Sequence, residues 1–98
     1  MKSEHILWLK SYELIMNRSN MKFEWDEQKN RLNRKKHKIW FEEAQTVFQD
    51  DLARVFYDDE HSDEEDRFLI IGLSSSGRVL IIAHCYQEAK EVVRIISA

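Results

Sequence analysis

Ninety-eight residues and 11.8 kDa provide material for one hydrophobic core and no second domain. At 43% hydrophobic and 34% charged, with eleven aromatics, the chain is too apolar for intrinsic disorder and too charged for a membrane span. Its net charge is −3, its one cysteine excludes a disulfide framework or a multi-cysteine zinc site, and its two glycines exclude glycine-rich phosphate loops.

Residues 1–20 read as an N-terminal extension. Lys10 and Glu13 interrupt its apolar stretch, so it suits neither a bilayer span nor a secretory signal. On a helix, Trp8, Leu9, Tyr12, Ile15 and Met16 share one face, and the polar residues 17–20 follow as a linker. The working domain is read as 21–98. Residues 21–25 suit a strand with Phe23 and Trp25 on one side, and Asp26 is an N-cap for a helix that carries Lys29, Asn33, Lys36 and His37 at helical spacing. A second helix is predicted over 41–48, with Phe41, Ala44, Val47 and Phe48 turned inward. A strand over 52–57 precedes an acidic loop, and three further strands are predicted at 67–73, 78–86 and 91–97. The connections at 74–77 and 87–90 are hairpin length, which makes an antiparallel meander of four strands. Consecutive apolar residues at 69–71 and 79–83 predict burial of the sheet on both faces. The fold class is α+β: strand, helix, helix, four strands.

Charge is sorted along this chain. Residues 29–38 hold six Lys or Arg and no acid, whereas 58–66 hold seven acids and no Lys or Arg. A cationic face can therefore coexist with a near-neutral total, and the local field governs encounters with polyanions. The plainer reading of such runs is a solvated helix face and a solvated loop. His84 reads as a hydrogen-bonded histidine of an apolar strand, His61 lies among acids without calcium-loop or zinc-helix spacing, and Trp25, Phe41 and Phe48 read first as core.

One resemblance is specific. Residues 23–26, then Lys29, Asn33, Lys36, His37, Ile39, Phe41, Glu43, Ala44, Val47, Phe48 and Asp50, are similar in order and spacing to the opening signature of BrnT-type toxins; so are 67–72, Ser74, Gly77, Arg78 and 94–98. The resemblance covers 21–98. It implies a RelE-like fold and a ribonuclease toxin of a type II toxin–antitoxin system that inhibits translation in the cytoplasm. It also implies a BrnA-like antitoxin of ribbon-helix-helix type, with operator DNA bound only through the joint complex, and it leaves open a homodimer or a toxin–antitoxin heterotetramer. Neither cofactor nor membrane enters this picture. Three departures stand out: Lys38 replaces a usual glycine, Trp40 replaces a small polar residue that caps the second helix, and the sequence ends at Ala98, where members usually continue into a basic C-terminal helix.

Metal-independent cleavage of this kind resembles attack of a 2′-hydroxyl on the adjacent phosphate, which needs a base, an acid and cations for the phosphoryl oxygens. The candidates are Lys36 and His37 at the first helix's end with Arg67, Arg78 and Arg94 on successive strands, and Lys29, Arg31, Arg34, Lys35 and Lys38 to hold RNA. Histidine suits proton transfer near neutral pH, although His37 equally suits a helix cap. Convergence of the arginines depends on strand register. The alternative is a catalytically impaired homologue that serves as antitoxin-binding module and co-repressor; a weaker third reading is direct DNA binding by the basic helix.

Overall fold

The computed structural model describes residues 21–98; the predicted N-terminal helix and its apolar stripe lie outside the described residues. A five-stranded sheet carries a helical layer on one face. Its strands are β1 (Lys22–Glu24), β2 (Arg54–Tyr57), β3 (Arg67–Leu73), β4 (Val79–Gln87) and β5 (Val92–Ser97), and its helices are α1 (Glu27–His37) and α2 (Phe41–Ala44), the latter continued by a 3₁₀ turn, Gln45–Gln49. The sheet order is β1-β5-β4-β3-β2. β2 to β5 form an antiparallel meander, and β1 adds in parallel to β5 through Phe23 opposite Val93. In β5 the register shifts opposite Ala83 and His84, with Ile96 as the extra residue.

The core lies between sheet and helices. Phe68, Ile70, Leu80, Ile82, Val93 and Ile95 from the strands meet Ile39, Phe41, Ala44, Val47 and Phe48 from the helical layer. Phe48 stacks edge-on against Phe23 at 5.2 Å, and Trp25 meets Phe41 edge-on at 6.0 Å. These aromatics are packing residues. The layers are tight at Gly72, where a Cβ would sit 2.9 Å from both Ala53 Cβ and Val47 Cγ1; no larger residue fits without displacement.

The burial predicted on both sheet faces holds for only part of β4. β3 and β4 largely alternate, and on the side away from the helices Val79 (71%) and Ile81 (55%) are exposed. From Val79 to Ile82 the consecutive apolar residues conceal a period of two, with every second one turned to the helices, whereas Ala83 (4%) and Cys85 (2%) are buried on the far face as well.

Local signals fixed the ends of α1. Asp26 Oδ1 accepts from the backbone N–H of Gln28 (2.8 Å) and Lys29 (3.3 Å), and the helix closes where the Lys38 N–H donates to the Arg34 carbonyl with Lys38 in the left-handed region at φ 65°. A β-carbon is strained there, and glycine is not. Lys38→Gly is therefore expected to stabilise the protein by about 0.5–1 kcal/mol, seen as a rise in Tm of a few degrees; a lower Tm would show that the lysine side chain matters more than the strain.

Candidate nucleic-acid interface

α1 shows the molecule two unlike sides. Lys29, Arg31, Lys35, Lys36 and His37 are exposed, and Arg34, Lys35, Lys36 and His37 make up the last turn, where cations are favoured by the helix dipole. The inward side is built from amides. Asn30 is fully buried; its Oδ1 accepts from the Phe41 N–H (2.7 Å) and its Nδ2 donates to Glu42 (2.9 Å) and Glu27 (3.3 Å). Asn33 donates to the Ile39 carbonyl (3.0 Å) and accepts from the Ala98 N–H (3.1 Å). Helical spacing groups Asn33 with Lys29, Lys36 and His37 in the sequence without assigning it a face, and it gives Asn30 no role. The spacing of three between the two asparagines was the available signal, since Leu32, the apolar residue in the run, is 50% exposed.

Arg78 reaches the carboxyl end of this helix. It follows a tight turn in which Gly77 takes φ 78° and donates to the Ser74 carbonyl (2.9 Å). The Arg78 Nε donates to Glu43 Oε2 at 3.0 Å, one terminal nitrogen pairs with Glu43 Oε1, and the same nitrogen lies 3.4 Å from the Lys38 carbonyl. Ser74 Oγ donates to Glu43 Oε2 at 2.6 Å. The Arg78 hydrogen bond, seconded by Ser74 against the opposing effect of burial, holds the Glu43 carboxyl at about 2, below its ordinary 4.5. This is a two-pronged carboxylate–guanidinium contact, which fixes the plane of the arginine.

Arg67 and Arg94 lie elsewhere. Arg67 pairs with Cys85 and Cys85 with Arg94 across β3, β4 and β5, so the three side chains form a row on the face away from the helices. Arg67 Nε is 3.5 Å from Asp58 Oδ2, and Arg94 is ion-paired with Glu65. The acidic segment thus lies against both arginines. Arg78 immediately precedes β4 at its opposite end, seven residues from Cys85, roughly 23 Å along a strand, and on the helix-covered side. The expected gathering of three arginines beside Lys36 is corrected: Arg78 joins the end of α1, while Arg67 and Arg94 form a separate pair. Register parity is the reason, because Arg67 and Arg94 share a face with Cys85, and Arg78 shares one with Leu80 and His84.

The other sequence candidates are plainly placed. His84 is buried, with Nδ1 donating to the Ile82 carbonyl (3.1 Å) and its ring edge-on to Phe48 at 4.9 Å. Cys85 faces the opposite side of the sheet, where burial pushes its thiol up. Among the described residues no group of three or more His, Cys, Asp or Glu side chains is arranged to hold a metal, and no helix is long and apolar enough to cross a membrane.

The family model for BrnT, the ribonuclease toxin of type II toxin–antitoxin systems, matches residues 25–98. The chain belongs to the BrnT family. Comparison with curated proteins gives no match. Membership in BrnT brings an antitoxin partner and an RNA target. The matched segment contains α1, the Glu43–Arg78 pair and the Arg67–Cys85–Arg94 row. Two of the three departures from the BrnT pattern have structural counterparts: Lys38 occupies the left-handed position after α1, and Trp40 begins α2 with no side-chain cap.

Acid is expected to weaken this fold in two stages. Burial lowers His84 from 6.5 to about 4; the unfolded chain therefore takes up a proton first, and stability falls as pH drops from 6.5 towards 4. Glu43, lowered from 4.5 to about 2, contributes stability above pH 4.5 that is lost as pH falls through that interval. Urea midpoints between pH 7 and pH 3 check both stages, and a midpoint unchanged from pH 7 to pH 4.5 contradicts the first.

Proposed function

We propose that this BrnT-family chain is a RelE-like endoribonuclease that cleaves RNA in the cytoplasm without a metal, inhibits translation and is neutralised by a ribbon-helix-helix antitoxin. The observation that carries the reading is Arg78, oriented by Glu43 and standing at the Lys38 carbonyl beside the cationic last turn of α1. In this scheme the strand backbone lies along Lys29, Arg31, Arg34, Lys35 and Lys38. The 2′-oxygen attacks phosphorus, the bond to the 5′-oxygen breaks, and the products end in a 2′,3′-cyclic phosphate and a 5′-hydroxyl. His37 moves the proton, and Lys36 with Arg78 offsets charge on the phosphoryl oxygens. Arg67 and Arg94 contact the backbone further along.

Expression without antitoxin is the test in cells; growth arrest with RNA breakdown is expected. In solution, a folded protein should cut an RNA oligonucleotide in EDTA and leave a cyclic phosphate, and failure to cut overturns the reading. One observation favours the second reading, an impaired homologue that serves as antitoxin-binding module and co-repressor: Arg67, Arg78 and Arg94 are each held by a carboxylate. Harmless overexpression of a folded chain that binds antitoxin is its signature.

A further inference from the structure

Trp40 is a poor structural choice on two counts. Its side chain makes no capping hydrogen bond at the start of α2, where Ser, Thr, Asp or Asn does so. Its indole is 44% exposed and takes no part in the core cluster. Residues that break a local rule without a structural return mark functional positions. The guanidinium carbon of Arg34 lies 5.7 Å from the ring centroid, which sets an aromatic surface beside positive charge.

An open hollow of about 670 Å³ adjoins this ring, lined by Arg31, Glu27, Glu42, Ser75 and Ser76 as well as Trp40, a size that accommodates a nucleotide. Glu43 also borders it, so the hollow abuts the Arg78 pair, and Ser75 and Ser76 belong to the turn that delivers Arg78. Glu42 is anchored from below by buried Asn30 at 2.9 Å, a bond that uses one of the roughly four acceptor positions of a carboxylate.

We infer that this hollow is a nucleobase subsite and that its base is guanine. The indole supplies a stacking platform, the common way in which proteins hold an unpaired RNA base. A carboxylate offers acceptors alone. Guanine presents two adjacent donors, N1–H and the 2-amino group, whereas adenine turns an acceptor, N1, to the same place. Glu42 therefore accepts from guanine and rejects adenine, and Arg31 meets the flanking phosphate. The inference rests on the reading of the chain as an RNA-directed protein and narrows its target to strands with a guanine beside the gripped phosphate.

The test uses the full chain with 5′-GMP and 5′-AMP as probes, followed by tryptophan indole signals in NMR titrations. GMP is expected to bind at least about fivefold tighter than AMP, the low end of what a matched base edge confers. Trp40→Ser restores a capping side chain, so its Tm should stay within a few degrees of the parent's while GMP binding weakens at least about fivefold. Glu42→Gln should bring GMP and AMP to within about twofold of each other. Parent-like GMP affinity in the Trp40 variant, or a retained preference in the Glu42 variant, overturns the inference, as does absence of GMP binding. RNA cleavage is scored separately. A chain that binds GMP in this way and cuts no RNA keeps the subsite and sinks the nuclease; one that cuts RNA without binding GMP does the reverse.

Discussion

Arg78→Ala is expected to lower the rate of RNA cleavage by about 100-fold or more, the usual consequence of removing one donor to a charge-developing oxygen. Arg78→Lys should recover little of it, because an ammonium cannot copy the planar fork that Glu43 orients. The lysine variant also separates chemistry from folding: it keeps a cation opposite Glu43, whose side chain is 14% exposed and is strongly disfavoured without a partner. By contrast, Arg67→Ala combined with Arg94→Ala should act on RNA affinity, with a shallower salt dependence, and leave the rate at saturating RNA within about tenfold. Cleavage by both Arg78 variants at the parental rate would rule out the α1 end as the place of scission. If the Arg67/Arg94 double variant is the dead one, the centre belongs on the other face of the sheet.

Asn30→Ala is expected to lower stability by about 3 kcal/mol, a large share of what a domain of this size holds in reserve. The side chain is wholly buried and is bonded at both ends: Oδ1 holds the Phe41 N–H, and Nδ2 holds Glu42 and Glu27. Truncation leaves a buried N–H unpaired and unties α1 from the start of α2. Asn30→Asp keeps the acceptor but sets a carboxyl against Glu27 and Glu42, and it should be no milder. Chemical denaturation measures both, with a fall in Tm of at least about 10 °C expected in parallel. Losses below about 0.5 kcal/mol in both variants would mean that the amide is a bystander.

Much of the architecture was legible because it is written in short-range signals. Asp26 announces the start of α1, Ser74 to Gly77 has turn chemistry, and the β-branched runs of β3, β4 and β5 lie within a residue of where they were expected. The second helix is less regular than predicted, since α-geometry ends at Ala44 and a 3₁₀ turn carries Val47 and Phe48 into the core; the apolar spacing suits both kinds of turn. The partner of β1 was not legible, because pairing across some 70 residues leaves no local mark. The site was half legible for a related reason. Residue types and the basic run point to an anionic ligand, but whether Arg78 joins Arg67 depends on the parity of a strand, and a single position decides that. Asn30 was hidden by its company: among so many cations an asparagine reads as surface.

The parallel docking of β1 on β5 has a temporal consequence. Among the described residues the first strand closes against the fifth, so this sheet cannot be completed while Val92 to Ser97 remain inside the ribosome. Until then β4 has β3 alone beside it, the helical layer lacks Val93 and Ile95 to rest on, and Asn33 lacks the amide of Ala98. A nascent copy thus keeps an incomplete sheet until Ser97 has emerged, and the helical layer settles only after that point.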